Sequence, residues 1–259
     1  MKRNILLIIS VVFSSILSFG SPVDEKADSA YTAEQYADAL ALYLQAAETE
    51  GTSSDLYYNI GNTLYRQNKI GKAIIAYERA LRLDPTNADT RTNLDFVNSK
   101  IVDKVGERGT FFSNAMDSVT RIMTANTWAW TALAFFILTI AAVVLYCFMN
   151  SIPVRKTGFF GGILTLFLCI LSCIFAFRGA SMAKAKNYAV VTVPSTILST
   201  SPRAPKNRTE EAMLLHEGTK MQIMDSVSSH TDTITSRWYD VEIDNNHRAW
   251  IKASDVEII

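Results

Sequence analysis

The stretch YYNIGNTLYRQNKIGKAIIAYERALRLDP, residues 57–85, has a fainter counterpart 34 positions earlier, and that interval decides how the chain folds. Its end, YERALRLDP at 77–85, runs parallel to YLQAAETEG at 43–51. At this offset Tyr36 aligns with Ile70, Ala39 with Ala73, Leu40 with Ile74, Tyr43 with Tyr77 and Ala46 with Ala80, without a gap. Small side chains recur where two helices must approach closely, and large ones recur where they interlock. Each copy therefore predicts a helical hairpin. Such a hairpin cannot bury its apolar face alone, so each is a template on which the next packs.

The period and these residues resemble the tetratricopeptide repeat, with 54–87 as one full unit. Tyr57, Ile60, Gly61 and Leu64 stand on its first helix, Ala73, Tyr77 and Ala80 on its second, and Pro85 at its stop. Leu64 and Asn68 replace the aromatic residue and glycine usual in the family. The earlier copy is poorer, with a short polar first helix and Gly51 where the proline should be. Beyond Pro85, Asn87 is a good N-cap, and Leu94, Val97, Ile101 and Val105 share one helical face. They predict a capping helix over 87–105 that closes a repeat domain at 21–105. The resemblance implies a concave partner-binding face on the first helix, where this chain has Asp55, Tyr58, Asn59, Asn62, Tyr65 and Arg66. Asn59 is read there mainly as a tie between helices.

Outside the repeats the apolar residues come in blocks. Lys2 and Arg3 precede an uncharged apolar run at 5–19, with Ser18 and Gly20 ahead of a cleavage point, so 1–20 is expected to be a secretory signal. Between Arg121 and Arg155 no charged residue occurs. Transmembrane helices are expected at 127–149 and 158–177, each long enough for a ~30 Å hydrocarbon core. The loop between them, 150–157, is expected to be cytoplasmic, and 178–186 to be a linker. Arg155 and Lys156 in the loop are opposed by Arg178, Lys184 and Lys186, so loop charge leaves the orientation open. Export of the N-terminal part followed by two crossings puts both soluble regions on the periplasmic side. In the preceding segment, 106–126, Phe112, Met116, Val119 and Met123 share a helical face suited to a membrane interface or to the capping helix. Gly158 and Gly162 stand at the spacing that lets spans approach, but also at a spacing common by chance.

Residues 187–259 change character, with β-branched, alternating segments separated by polar turns. LHEGT at 215–219, Trp238, AWI at 249–251 and the closing ASDVEII at 253–259 resemble a bacterial SH3 domain, which implies a small all-β barrel. Val241, Trp250 and Trp238 are expected in its core, and Tyr239 on a ligand-facing surface.

Zero net charge and the lack of any long basic run argue against a nucleic-acid partner. The three cysteines, Cys147, Cys169 and Cys173, all lie in apolar runs, which excludes a disulfide framework or a cysteine zinc site. His216, His230 and His247 fit no metal spacing, His216 and His247 read as surface residues, and there is no phosphate loop or nucleophile elbow. The expectation is a non-enzymatic protein without metal or cofactor.

The order of parts, with RKTGFFGG at 155–162 and LHEGT in the terminal domain, resembles the E-protein family of the aerotolerance (Bat) operon. That resemblance implies an inner-membrane component of a bacterial envelope system with von Willebrand A domain partners. The expected fold is thus a multidomain membrane protein: a tetratricopeptide solenoid, a two-helix transmembrane hairpin and an SH3-like barrel. Its expected role is a scaffold that recruits proteins through the repeats. The alternative is a peptidoglycan or peptide sensor acting through the SH3-like domain.

Overall fold

The computed structural model describes residues 22–106, 108–231 and 234–259; the expected signal at 1–20 lies outside them. The chain divides into two compact units, Met1–Thr52 and Ser53–Ile259.

In the first unit α1 (Pro22–Thr32) and α2 (Tyr36–Thr49) form a hairpin. Ala27, Ala39, Tyr43 and Ala46 are buried in it. Even with its polar sequence, the first helix of this poorer copy forms over 11 residues. In the second unit α3 (Ser54–Arg66) and α4 (Ile70–Leu83) form the hairpin of the better copy. The Ser53 hydroxyl caps α3 by accepting from the Leu56 amide at 3.0 Å. Ala73, Tyr77 and Ala80 are buried at the positions of Ala39, Tyr43 and Ala46.

The two hairpins use the same turn. In the first, the Glu34 amide donates to the Tyr31 carbonyl at 3.0 Å and the Gln35 amide to Ala30 at 2.9 Å. In the second, Asn68 donates to Tyr65 at 2.9 Å and Lys69 to Leu64 at 3.0 Å. This is a Schellman stop, and its C′ residue must be left-handed: φ is 60° at Glu34 and 59° at Asn68. Asparagine tolerates that region, which explains how Asn68 can replace the family's glycine, whereas a glutamate there is strained.

The helix α5 (Ala88–Asn98) packs next. Asn87 caps it by accepting from the Thr90 amide at 2.9 Å, and Leu94 and Val97 are buried. The helix stops at Asn98 instead of running on to Val105. Ile101 and Val105 are used elsewhere: Ile101 lies against Gly218, and Val105 packs on the core of the β domain. A continued helix would carry both away from that contact.

The β domain is one antiparallel sheet among the described residues: β1 (Tyr188–Val191), β2 (Ser195–Ser199), β3 (Glu211–His216), β4 (Lys220–Thr231), β5 (Ile234–Asp244), β6 (His247–Lys252) and β7 (Val256–Ile258). The spatial order is β3-β2-β6-β5-β4-β1-β7, so the pairing does not close into a ring, and β3 and β7 are edges. A small antiparallel β domain is what the alternating segments predict; the closed barrel is not formed by this pairing. Its core holds Val191, Leu198, Leu215, Met221, Val241, Ile243 and Ile251. Trp238 is buried, but Trp250 is half-buried and not a core residue. The two-residue period explains this, because Ala249 and Ile251 take the core face of β6 and turn Trp250 to the other.

Two long apolar helices, α7 (Ala125–Phe148) and α8 (Ile152–Lys184), lie against each other and are mostly exposed along their lengths. Either is long and apolar enough to cross a membrane, which suggests membrane association. At about 50 Å, α8 outreaches a hydrocarbon core and takes in most of the expected loop and linker. Small residues set the approach. A Cβ on Gly158 would stand 2.8 Å from the Ala142 carbonyl oxygen, and one on Gly162 would stand 3.4 Å from the Ala142 methyl. Hydroxyls of Thr139 and Thr165 bond across the pair at 2.9 Å. The amphipathic helix α6 (Phe111–Thr120) rests on α8 through the Asp117–Arg178 ion pair, and the Trp128 indole donates to the Thr120 carbonyl at 3.1 Å.

The strained turn gives a prediction. Glu34→Gly relieves a left-handed clash worth ~1–2 kcal/mol and loses part of it to backbone entropy, a net gain of ~0.5–1 kcal/mol. Amide exchange in α1 and α2 of the full chain in detergent should slow accordingly; faster exchange would contradict the turn assignment.

Candidate protein-interaction site

The helix α4 has two buried sides, and the division between them defines what is left for a partner. Toward α3, the Tyr77 ring lies where a Cβ on Gly61 would approach to 2.6 Å, and the Ser54 hydroxyl donates to the Ala80 carbonyl at 3.1 Å. Only glycine allows that ring to lie so close. On the other side, Gly71, Ile74, Glu78, Arg79 and Arg82 recur at helical spacing and meet the β domain.

This second contact centres on the LHEGT turn between β3 and β4. The Glu217 carboxylate accepts from the Gly71 amide at 2.8 Å, so an anion caps the positive end of α4. Gly218 has φ of 92°, and a Cβ there would come within 2.5 Å of Ile101 and 3.1 Å of Ile74. A Cβ on Gly71 would lie 2.5 Å from the Val191 carbonyl oxygen. Further along the helix, Lys220 pairs with Glu78 at 2.6 Å and Arg79 with Glu257 at 2.9 Å. Arg79 also donates to the Ile258 carbonyl, and Arg82 to that of Ile259, each at 2.8 Å. The β7 edge is thereby covered by α4.

The segment between α5 and α6 straps the contact. Asp103 accepts from the His216 amide at 2.7 Å, from the Thr219 hydroxyl at 2.5 Å, and meets the His216 ring at 2.8 Å. His216 is therefore half-buried in an interface, whereas the sequence reads it as a surface residue; His247 is exposed and bonds Asp244. Burial, the largest single influence on Asp103, works to raise its pKa. The donors on Thr219 and His216 together outweigh it and hold the carboxyl below its ordinary range. Past Val105, Arg108 donates to the carbonyls of Lys220 at 2.8 Å and Ile243 at 3.2 Å, and Gly109 and Asn245 exchange two hydrogen bonds.

With that side of α4 occupied, the face formed by α3 and α5 remains. Asp55 and Arg66 are exposed on it, and Tyr58, Asn59, Asn62 and Tyr65 are half-buried. Asn62 ties helices together: its Oδ1 accepts from the Tyr77 hydroxyl at 2.7 Å and from Asn93 Nδ2 at 2.9 Å. Asn93 Nδ2 also reaches the Tyr58 hydroxyl at 3.3 Å. Tyr65 stands edge-on to Phe96, with ring centroids 5.8 Å apart, and the Lys100 ammonium lies 5.0 Å from the Phe96 centroid. Asn93 and Phe96 are absent from the sequence-based site. The period carries the signal, since Asn93 and Leu94 repeat Asn59 and Ile60 at the 34-residue interval.

The first hairpin repeats the tyrosine bond. Tyr43 donates to Asp28, 15 residues back, as Tyr77 donates to Asn62 across the same interval. Burial first, then the Asp28 carboxylate, push the Tyr43 pKa far above its usual value. In the β domain, Tyr239 packs half-buried against the core, with the Arg237 guanidinium 5.9 Å from its ring. Among the described residues no group of three His, Cys, Asp or Glu side chains is placed to hold a metal.

Residues 54–87 match the tetratricopeptide repeat family. No curated protein matches the chain. A repeat of this kind suggests protein–protein interaction and is typical of non-enzymatic chains.

Two outcomes follow from these contacts. A depressed Asp103 pKa means that its stabilisation is present above ~3.9, the unfolded value, and is lost as pH falls through the lower folded value. As pH falls through that value the protection of the Gly71 amide, the ratio of its intrinsic to its observed exchange rate at the same pH, should drop, and Asp103→Ala should remove that acid-dependent component while lowering protection at neutral pH. Exchange indifferent to both would contradict the latch.

Asn62→Ala deletes an acceptor shared by two donors and should cost ~1–2 kcal/mol, against ~0.5 kcal/mol or less for Asp55→Ala on the exposed surface. Thermal melts of the full chain in detergent measure the difference; equal melting temperatures would refute the structural role of Asn62.

Proposed function

We propose that this chain is a non-enzymatic adaptor of the bacterial inner membrane that recruits a protein partner on the periplasmic side through the α3–α5 face. The observation that carries the proposal is the asymmetry of the repeat: among the described residues of this unit, α4 is covered by the β domain, whereas the α3–α5 face exposes Asp55 and Phe96 beside the half-buried Tyr65. A helical hairpin with one side anchored and the other presented is suited to holding a partner at fixed orientation. The apolar helices α7 and α8 supply the anchor. Phe111 and Phe112 in the first turn of α6 and Ile122 just before α7, all exposed, fit the headgroup boundary. The β domain is taken as SH3-like on its LHEGT and AWI motifs. The resemblance to the aerotolerance E-protein family supports an envelope complex in which von Willebrand A domain proteins are the partners.

A second reading, a peptidoglycan or peptide sensor, draws on the open β3 edge, beside which the cross-strand pair Ile197 and Leu214 is exposed. Occupation of the LHEGT turn by α4 leaves the β domain less free surface for that task.

The test is crosslinking of the full chain in spheroplasts with a membrane-impermeant reagent, followed by purification. Asp55→Lys, at an exposed position, should keep the fold and lower partner recovery about tenfold. Adducts that form only after membrane rupture would reverse the assigned side. Full recovery by the folded variant, together with sedimentation of the chain on purified cell wall, would favour the sensor.

A further inference from the structure

The turn of the apolar hairpin carries a site that the adaptor role does not use. An open cleft of about 340 Å³ lies between the end of α7 and the first turns of α8, lined by Tyr146, Ile152, Arg155, Lys156, Phe159 and Phe160. The Arg155 guanidinium sits over the Tyr146 ring, 5.3 Å from its centroid. Tyr146 packs on Phe159 at 5.8 Å and Phe159 on Phe160 at 5.3 Å, which makes a continuous aromatic wall. That wall is open to its surroundings, with Phe160 67% and Ile152 69% exposed.

The cations are not there for a carboxylate of the hairpin. No Asp or Glu occurs between Asp117 and Glu210, and no ion pair among the described residues includes Arg155 or Lys156. The positive end of α8 opens on the same side: Ser151 makes no side-chain cap bond, and Pro153 has no amide hydrogen. A nucleic acid or an acidic protein would need a broader basic field than two side chains. Charge beside bare Phe and Ile surface, at the end of two membrane-length helices, instead fits a ligand that is anionic at one end and hydrocarbon at the other.

We propose that this cleft binds an anionic glycerophospholipid. Arg155 and Lys156 hold its phosphate oxygens, the guanidinium braced on Tyr146, and Ile152, Phe159 and Phe160 receive the start of its acyl chains. The inference rests on the reading that α7 and α8 cross a bilayer. It gives the hairpin a preferred lipid and fixes the depth of its turn.

The experiment uses full-length protein reconstituted into phosphatidylcholine vesicles with and without phosphatidylglycerol. Flotation and resistance to alkaline extraction report insertion, and native mass spectrometry reports the lipid retained after detergent extraction. The protein should float with both vesicle types and retain phosphatidylglycerol in preference. Arg155→Gln with Lys156→Gln should lower that preference ~10–30-fold, and Arg155→Lys with Lys156→Arg should keep it. Where the glutamine pair loses helicity, Tyr146→Leu carries the test, with a several-fold drop expected. A floating wild type without preference, or variants that keep it unchanged, overturns the lipid site and leaves the membrane reading standing. Failure to insert overturns both. Release of the retained lipid by millimolar inorganic phosphate would mark the cleft as a soluble-phosphate site and also overturn the proposal.

Discussion

The architecture of the C-terminal unit depends on one close contact: the backbone of α4 meets the LHEGT turn at a distance that leaves no room for a side chain at Gly71 or Gly218. Close approach lets Ile74 and Ile101 bury against the turn while the Glu217 carboxylate satisfies an amide at the start of α4. Burying a carboxylate is costly unless it is bonded, and an unsatisfied first-turn amide is costly too, so each group resolves the other's deficit. The surrounding pairs, Lys220 with Glu78 and Arg79 with Glu257, are partly exposed and add modestly, but they fix rotation about the helix axis. The β7 edge, which would otherwise present unpaired carbonyls, ends under Arg79 and Arg82.

That contact reorganises the rest of the unit. The helix α4 is buried nearly all round, so it has no face to offer a partner, and the presenting surface passes to α3 and α5. The chain leaving α5 gives up helix after Asn98 because Ile101, Asp103, Val105 and Arg108 find better partners on the β domain. A segment expected to finish the repeat thus becomes the strap that ties it to its neighbour. The apolar pair follows a different rule. Small residues set it: Gly158, Gly162 and Ala142 bring the two backbones into van der Waals contact, and Thr139 and Thr165 bond across.

Local features were legible in the sequence because they depend on neighbours three, four or 34 positions away. The hairpin of 54–87, the Asn87 cap, the apolar helices and the alternating strands all follow from periodicity and turn chemistry. So does the left-handed turn residue, once Asn68 is seen to stand where glycine is usual. Boundaries were less legible. The end of α5 and the extent of α8 were set by what the flanking residues touch, and period-two logic placed Trp250 off the core face only once the register of β6 was known.

What the sequence by itself determined is the kind of each element and the spacing of its buried positions, since these follow from the helical and strand periods. Only the tertiary structure decided that LHEGT is a docking turn and not a free loop, and that His216 faces Asp103 across 113 residues. Those pairings join residues with no shared period. Their bonds strengthen in the low-dielectric surroundings that form when separate elements meet, and a linear sequence carries no signal of which surfaces will do so.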